Sequence, residues 1–234
     1  MWVWPNRIPT MANLPSGVNC LLSLFLSHPM QAVRKHHAGK MIIDMATAKT
    51  ARKTVNGVAV DDLLTTIEAI GATPSIAKFT FRLRNQWNEA AQNQSIVDKF
   101  HGAGQEVSHP LPFVLVADEP AVLLGKDEAA NPVEHLLHAL AACLTTSMVY
   151  HAAARGIEIE EIESSLEGHI DLHGFLDLDP GVRKGYQGIR VKFKIKADVP
   201  EEGLQEIMQL GTGHSPVFDS LTNGVPVSVT TERL

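Results

Sequence analysis

The stretch Asn131-Pro132-Val133-Glu134-His135-Leu136-Leu137-His138-Ala139-Leu140-Ala141-Ala142-Cys143 decides the fold of this chain. Asn131 is a favourable N-cap, Pro132 suits the first helical position, and Glu134 lies three residues after the cap. The stop signal is the pair Arg155-Gly156, because glycine readily adopts the left-handed conformation that ends a helix. Nearly every face is apolar as far as Met148, so the pattern predicts a helix buried in the core or against a partner chain.

Cys143 lies in the middle of this helix among small and apolar residues. A cysteine in such a position is either an inert small hydrophobic residue or a nucleophile. His135 and His138 share a helix face, but together with Glu134 they do not follow the His-Glu-x-x-His order of zinc hydrolases. No metal site and no cofactor are therefore predicted, and the residues alone leave both interpretations of Cys143 open.

The composition limits the class of protein. The chain has 234 residues, of which 44% are hydrophobic, enough for one sizeable core or two small ones. Its formal net charge of -6 gives no general attraction for phosphate backbones or anionic lipids, so neither nucleic acid nor a membrane is an expected partner. The only two cysteines are Cys20 and Cys143, which excludes a disulfide framework and favours a reducing, cytoplasmic compartment.

Residues 1–54 differ from the rest in their scattered prolines and lack of periodicity, and they are expected to be a poorly ordered N-terminal extension. The apolar run over 20–27 is too short to span a bilayer. It allows a signal-peptide interpretation, although no small-x-small cleavage pattern precedes the basic cluster that follows. The alternative is a disordered extension upstream of a later start at Met30, Met41 or Met45.

The remaining elements are grouped in blocks. Upstream of the main helix, the sequence predicts a short helix over 61–70, a strand over 79–84, a polar stretch through 94 and a strand over 111–116. Downstream it predicts strands over 162–172 and 189–197, a helix over 200–210, a short helix that starts at Ser215-Pro216 and a closing strand over 225–230. This grouping favours an α+β domain over 55–234 rather than a doubly wound parallel sheet.

The sequence Asn131-Pro132-x-Glu134, then Ala-Ala-Cys143, a strand pair, a second helix and His214-x-Pro216-Val217, resembles the osmotically inducible protein C and organic hydroperoxide resistance (OsmC/Ohr) family. The resemblance extends over about residues 78–234. It implies an intertwined homodimer, in which antiparallel sheets pack around two buried helices per subunit. It also implies a peroxiredoxin-like activity in the oxidative stress response, in which a first cysteine attacks an organic hydroperoxide and a second resolves the sulfenic acid as a disulfide.

By this resemblance, Cys143 is the peroxide-attacking residue. The attacking species is a thiolate, which the family holds with an arginine that is oriented by a glutamate. The resemblance implies that Arg82 or Arg84 supplies the arginine and that Glu134 orients it, although the family glutamate directly follows the Asn-Pro pair, where this chain has Val133. An apolar substrate pocket, which would favour organic peroxides, is expected beside the thiol, lined by Leu137, Leu140 and Leu144.

The chain departs from the family at the second cysteine. Where the family has Cys-Pro-Val, this chain has Ser215-Pro216-Val217, and a serine cannot form the resolving disulfide. A sulfenic acid on Cys143 would then need an external thiol as its reductant. A function of another class stays open, namely a non-catalytic module that has lost the second redox cysteine and binds an apolar small molecule in the same pocket.

Plainer structural roles compete with these assignments. Glu134 is equally well explained as a capping-box residue, and Ser215 as the N-cap of the helix that begins at Pro216. Arg82 and Arg84 could form the solvated face of a strand. The position and contacts of each side chain distinguish these roles from the catalytic ones.

Overall fold

The computed structural model describes residues 53–233, which belong to one unit of the chain, Thr50–Leu234. Most of the expected N-terminal extension, including Cys20 and the run with a possible signal-peptide interpretation, lies outside the described residues. The described chain starts with a small hairpin of β1 (Thr54–Val55) and β2 (Val58–Ala59). Helix α1 (Val60–Ala72) follows at once and confirms the helix predicted over 61–70.

An antiparallel sheet follows, made of β3 (Thr80–Phe81), β4 (Arg84–Glu89), β5 (Gln92–Gly102) and β6 (Gln105–Ala117). The long strand β5 pairs with β3 and β4 along one edge and with β6 along the other. The predicted strand over 111–116 is confirmed as part of β6. The single strand predicted over 79–84 was wrong, because residues 82–83 leave the strand conformation and separate β3 from β4.

Strand β4 and the start of β5 occupy the stretch in which the sequence predicted no strand. Apart from the exposed Trp87, the side chains of β4 and of residues 92–95 are polar, so no alternation of apolar and polar residues marks these strands. Polar pairs join the two strands instead, because Nδ2 of Asn85 donates to Oδ1 of Asn93 at 2.8 Å and to Oγ of Ser95 at 2.9 Å. The hairpin between β5 and β6 turns at Ala103 and Gly104, whose φ angles of 51° and 79° suit a tight two-residue turn.

Helix α2 (Pro132–Ala154) is the main helix predicted from the sequence, and it starts with the predicted capping box. Oδ1 of Asn131 accepts from the backbone N–H of Glu134 at 2.9 Å, and the Glu134 carboxylate accepts from the Asn131 N–H at 2.8 Å. By length and composition alone α2 could cross a membrane, a test that core helices also pass. Here α1, β7, α4 and α5 pack against it, as expected of a core helix.

The second half of the chain contains β7 (Glu161–His169), α3 (Leu172–Phe175), β8 (Gly188–Lys196), α4 (Glu201–His214) and α5 (Pro216–Asn223). Strands β7 and β8 form an antiparallel pair, and α4 and α5 pack on α2. These elements confirm the two strands and two helices predicted there. The strand predicted to reach residue 172 ends at His169, because Asp171 caps α3 by accepting from the His173 N–H.

The strand predicted over 225–230 was wrong, since those residues form no strand in the described chain. Its alternating valines, Val225, Val227 and Val229, are exposed. A strand needs a neighbour with which to share backbone hydrogen bonds, and this segment has none among residues 53–233. The α+β class is confirmed by the mixture of helices and antiparallel sheets, whereas the intertwined dimer stays a prediction.

Candidate functional site

Cys143 lies in the middle of α2, on a face that is only partly exposed. Two of the three predicted pocket residues, Leu140 and Leu144, are buried around it, and Leu137 is half-buried. Within residues 53–233 the thiol makes no hydrogen bond and no ion pair. Cys143 is therefore partly accessible, and no charged group of the described residues pairs with its thiol.

A hydrogen bond ties α2 to the junction of α4 and α5, one helical turn beyond Cys143. Oγ of Ser147 donates to the backbone carbonyl of His214 at 3.2 Å. His214 ends α4, and the next residue, Ser215, is the N-cap of α5, where its Oγ accepts from the Phe218 N–H at 3.2 Å. Ser215 is only 2% exposed. The position of the family's second cysteine is thus held against the helix that carries Cys143.

The α4–α5 corner, defined here as residues 214–218, makes a second contact with α2. The imidazole rings of His151 and His214 lie with their centroids 3.8 Å apart, and Nδ1 of His214 donates to the Leu210 carbonyl at 3.1 Å. The pKa of His151 is below its ordinary value because of burial, and because of the nearby charges of His214 and Arg155. Sequence reasoning missed this pair, although the spacing of Cys143 and His151, two turns apart on one helix, was a usable signal.

Glu134 is used by the capping box, the plainer of its two predicted roles. It lies nine positions before Cys143, which is about 13 Å along the helix, so it cannot touch the thiol of its own chain. Beside it, the hydroxyl of Tyr186 donates to the Val133 carbonyl at 2.9 Å. The pKa of Tyr186 is raised by burial and then by the negative charge of Glu134.

The two predicted arginines are engaged on the β3–β6 sheet. Nη1 of Arg82 lies 3.0 Å from Oε2 of Glu106, and Nη2 of Arg84 lies 2.7 Å from Oδ2 of Asp98. Both guanidinium groups are exposed, which matches the interpretation of a solvated strand face. No contact joins either arginine to Cys143 or to Glu134 among the described residues.

The predicted apolar pocket beside Cys143 stays a prediction. Of two well-formed grooves in the described part of the chain, the larger, about 470 Å³, lies between β8 and α4 and includes Phe193, Leu204 and Met208. The smaller, about 360 Å³, lies between the β1–β2 hairpin, α1 and Tyr150. Neither groove is lined by Leu137, Leu140 or Leu144. No group of three or more metal-ligating side chains occurs among the described residues.

A buried carboxylate that sequence reasoning missed organises the loop before α2. Asp118 is 1% exposed and accepts hydrogen bonds from the backbone N–H groups of Glu119, Lys126 and Glu128 and from Nε2 of Gln92. Burial alone would raise the pKa of Asp118, but these hydrogen bonds lower it below its ordinary value. Asp118 therefore supports the N-terminal end of α2 rather than forming part of the site.

Residues 125–230 match the family model described as OsmC-like protein. The matched segment includes α2, the β7–β8 pair and the α4–α5 corner. It is shorter than the resemblance seen in the sequence, since it omits the sheet that carries Arg82 and Arg84. No curated protein matches the chain at a significant level.

Several solved structures have a similar outline at low sequence identity. An OsmC like protein from Mycoplasma pneumoniae is 17% identical, and its alignment covers 61% of this chain and 86% of the Mycoplasma chain, with a TM-score of 0.46. A putative osmotic stress induced and detoxification response protein from Psychrobacter arcticus is 14% identical, with coverages of 62% and 90% and a TM-score of 0.47. An organic hydroperoxide resistance protein OsmC from Legionella pneumophila is 13% identical, with coverages of 62% and 91% and a TM-score of 0.42.

Proposed function

Because residues 125–230 match the OsmC-like family model, we propose that the chain is an OsmC-like thiol protein of the oxidative stress response, which reduces organic hydroperoxides at Cys143. One observation carries the proposal. Ser147, one turn from Cys143, donates to the carbonyl of His214, the residue before Ser215. The two positions at which the resemblance locates redox cysteines thus lie on elements that are hydrogen-bonded to each other.

The proposed reaction begins with attack of the Cys143 thiolate on the terminal oxygen of the hydroperoxide. The O–O bond breaks, the alkoxide takes up a proton and leaves as an alcohol, and the sulfur is oxidised to a sulfenic acid. Ser215 cannot close a disulfide, so an external thiol attacks the sulfenic sulfur and releases water. A second thiol then cleaves the mixed disulfide and regenerates Cys143. A reducing cytoplasm would supply both thiols.

The cation that favours the thiolate is proposed to come from a second copy of the chain. Arg82 and Arg84 lie on a sheet that meets α2 at the N-terminal end, where Nε2 of His135 is 2.9 Å from the Val116 carbonyl. Since both arginines pair with carboxylates of their own sheet, either one would have to exchange that partner for the thiolate of the neighbouring subunit. This requirement makes a homodimer part of the proposal.

An uncovered apolar sheet supports the homodimer. Phe81 is 75% exposed and Leu111 is 76% exposed. A series of ring contacts, with centroids between 4.8 and 6.2 Å apart, crosses the same sheet and is formed by Phe79, Phe81, Phe100, His109 and Phe113. Monomeric proteins rarely expose so large an apolar patch, so a second copy is the expected cover. Light scattering of the purified chain, and of its Leu111→Glu variant, measures whether this face holds a dimer together.

The test of the proposed activity is stopped-flow reduction of cumene hydroperoxide, with hydrogen peroxide as the comparison substrate. We expect rapid consumption of the organic peroxide, slower consumption of hydrogen peroxide, and no activity in Cys143→Ser. A sulfenic-acid trap should label Cys143 only after peroxide is added. Peroxide loss equal to that of Cys143→Ser would reject the proposal.

A Ser215→Cys variant tests the geometry independently. If the α4–α5 corner adjoins Cys143 as the Ser147 hydrogen bond indicates, one equivalent of peroxide should convert Cys143 and the introduced thiol into a disulfide, visible as a loss of two thiols. A Ser220→Cys variant is the matched control, because Ser220 is exposed on α5 and bonded only to the Pro216 carbonyl of its own helix.

A second candidate is the non-catalytic binding module. It is favoured by the contacts of Ser215, whose hydroxyl serves as a buried helix cap, and by the lack of a charged partner for Cys143 among residues 53–233. Iodoacetamide distinguishes the two functions, because a reactive thiolate is alkylated quickly in the folded protein below neutral pH, whereas an inert core cysteine reacts only on unfolding.

A further inference from the structure

We propose that the His151–His214 ring pair is a pH-sensitive clamp that holds the α4–α5 corner on α2 and thereby controls access to Cys143. The clamp concerns the accessibility of the site, and its importance for peroxide reduction rests on the proposed function. In the closed state the two rings lie against each other, and His151 is neutral. In the open state the corner has moved away from α2 and exposes more of the helix face that carries the thiol.

The geometry of one helical stripe supports the clamp. Cys143, Ser147 and His151 follow one another at intervals of four residues, so they lie on the same side of α2. Ser147 donates the 3.2 Å hydrogen bond to the His214 carbonyl. The ring of His151 lies against the His214 ring, with 3.8 Å between the centroids and 30° between the planes. His214 therefore attaches the corner to α2 through its backbone carbonyl and through its ring, at positions about 6 Å and about 12 Å along the helix from Cys143.

The surroundings of His151 disfavour its protonation. The pKa of His151 is lowered by burial first, then by His214 from α4 and Arg155 from α2 itself. Arg155 is itself paired with Glu206 of α4, with Nε and Oε1 3.6 Å apart. Other elements packed against α2 also carry carboxylates, but none of these contributes to the lowered pKa of His151. They are Asp61, Asp62 and Glu68 on α1, Glu161, Glu163 and Glu167 on β7, and Asp219 on α5.

The direction of the pH effect follows from this arrangement. Because the stacked state lowers the pKa of His151 below its ordinary value of 6.5, the open state binds the proton more readily. The stack contributes its full stability above about pH 6.5, and loses it as the pH falls below that value. Acid therefore opens the corner, and neutral pH closes it.

The test compares alkylation of Cys143 by iodoacetamide in the full-length wild-type protein and in His151→Phe between pH 5.5 and 7.5. Phenylalanine keeps a flat ring against His214 but cannot take up a proton. Mass spectrometry of the peptide that contains Cys143 separates its reaction from that of Cys20. The ratio of the two rates at each pH removes the ionisation of the thiol itself, since both proteins share it.

We expect the ratio of wild-type to His151→Phe rates to rise from about one at pH 7.5 to about five at pH 5.5, the lower range of coupling between two sites. His138→Phe is the matched control, because His138 is exposed on the same helix, and it should follow the wild type at every pH. A ratio that does not change with pH, or an equal effect of His138→Phe, would overturn the clamp.

Hydrogen exchange of the wild-type protein provides a measurement that does not depend on folding of the variant. The amides of Phe218 and Asp219 are bonded to the side chain and the carbonyl of Ser215, so their protection reports the closed corner. After correction for the intrinsic pH dependence, their protection should fall between pH 7.5 and 5.5, and unchanged protection would also overturn the clamp. Neither experiment uses a peroxide, so a failure of the peroxidase activity would leave both results interpretable.

Discussion

The close approach of α2 and α4 predicts opposite effects of the same substitution at two glycines of α4. A Cβ atom at Gly211 would lie 2.7 Å from Cγ of Met148 and 3.3 Å from the Leu144 carbonyl, whereas a Cβ at Gly213 would have no neighbour within 4 Å. Met148 is fully buried, and its Cγ atom is not the free end of its side chain. Gly211 therefore sets the distance between the helix that carries Cys143 and the helix that leads to the α4–α5 corner.

The magnitudes decide the sign of each effect. Replacing glycine by alanine within a helix is worth about 1 kcal/mol through helix propensity, and Gly213→Ala should gain up to that amount. Overpacking a core costs about 1 to 3 kcal/mol. When the gain of about 1 kcal/mol from helix propensity is subtracted, Gly211→Ala should change the stability by between zero and a loss of about 2 kcal/mol. Because the propensity term is shared, the difference between the two variants isolates the contact with Met148.

Urea denaturation followed by circular dichroism measures this difference. We expect Gly211→Ala to be less stable than Gly213→Ala by about 1 to 3 kcal/mol. Combining Gly211→Ala with Met148→Ala should cost less than the sum of the two single changes, since the second removes the clashing atoms. Equal stability of the two alanine variants would refute the close packing of α2 on α4.

Three further predictions concern contacts that support the site. Ser147→Ala leaves the His214 carbonyl without its donor and should cost about 1 to 3 kcal/mol in urea denaturation, whereas Ser220→Ala should be close to neutral. Asn131→Ala removes the cap of α2 and should cost about 1 kcal/mol. Because Asn131 and Glu134 form the capping box together, the double variant with Glu134→Ala should lose less stability than the sum of the two single variants. Asp118→Asn should be less stable than the wild type at pH 6, and the deficit should shrink as the pH falls below about 4, because the folded state lowers the pKa of Asp118 from its ordinary value of 3.8 and loses that stabilisation on protonation. A deficit that stays constant down to pH 3 would contradict this role of the carboxylate.

Elements with local signals could be predicted from the sequence. The bounds of α2 follow from Asn131, Pro132 and Gly156, all of which act within one turn of the helix ends. The start of α5 at Ser215 was predicted for the same reason. In contrast, β4 and β5 are held by polar pairs such as Asn85 with Asn93, which carry no apolar periodicity.

The strand predicted over 225–230 is the opposite case, in which the sequence has the pattern of a strand but the structure has none. Val225, Val227 and Val229 alternate as a strand would, but pairing depends on a neighbouring strand that the described chain does not provide. Alternation reports a side-chain pattern, whereas strand formation also requires backbone partners. A local pattern therefore predicted an element that one chain alone does not form.

In the candidate site, too, the sequence predicted the residues that have local signals but not the contacts between distant residues. Cys143 and Ser215 could be located from short motifs in the sequence, and their helical positions follow from local caps. The hydrogen bond that joins their two elements links Ser147 to His214, which are 67 residues apart, and no local pattern predicts such a pair. The ion pairs of Arg82 and Arg84 depend equally on strand register, which the sequence did not reveal.

The most direct test of peroxide reduction at Cys143 is the number of cumene hydroperoxide molecules that one chain consumes without any reductant. The proposed chemistry predicts one per chain for the wild type, with one trapped sulfenic acid at Cys143, none for Cys143→Ser, and continued consumption once a dithiol is added. Consumption of no peroxide by the fully reduced wild-type protein, with Cys143 recovered as an unmodified thiol, would contradict the proposed function.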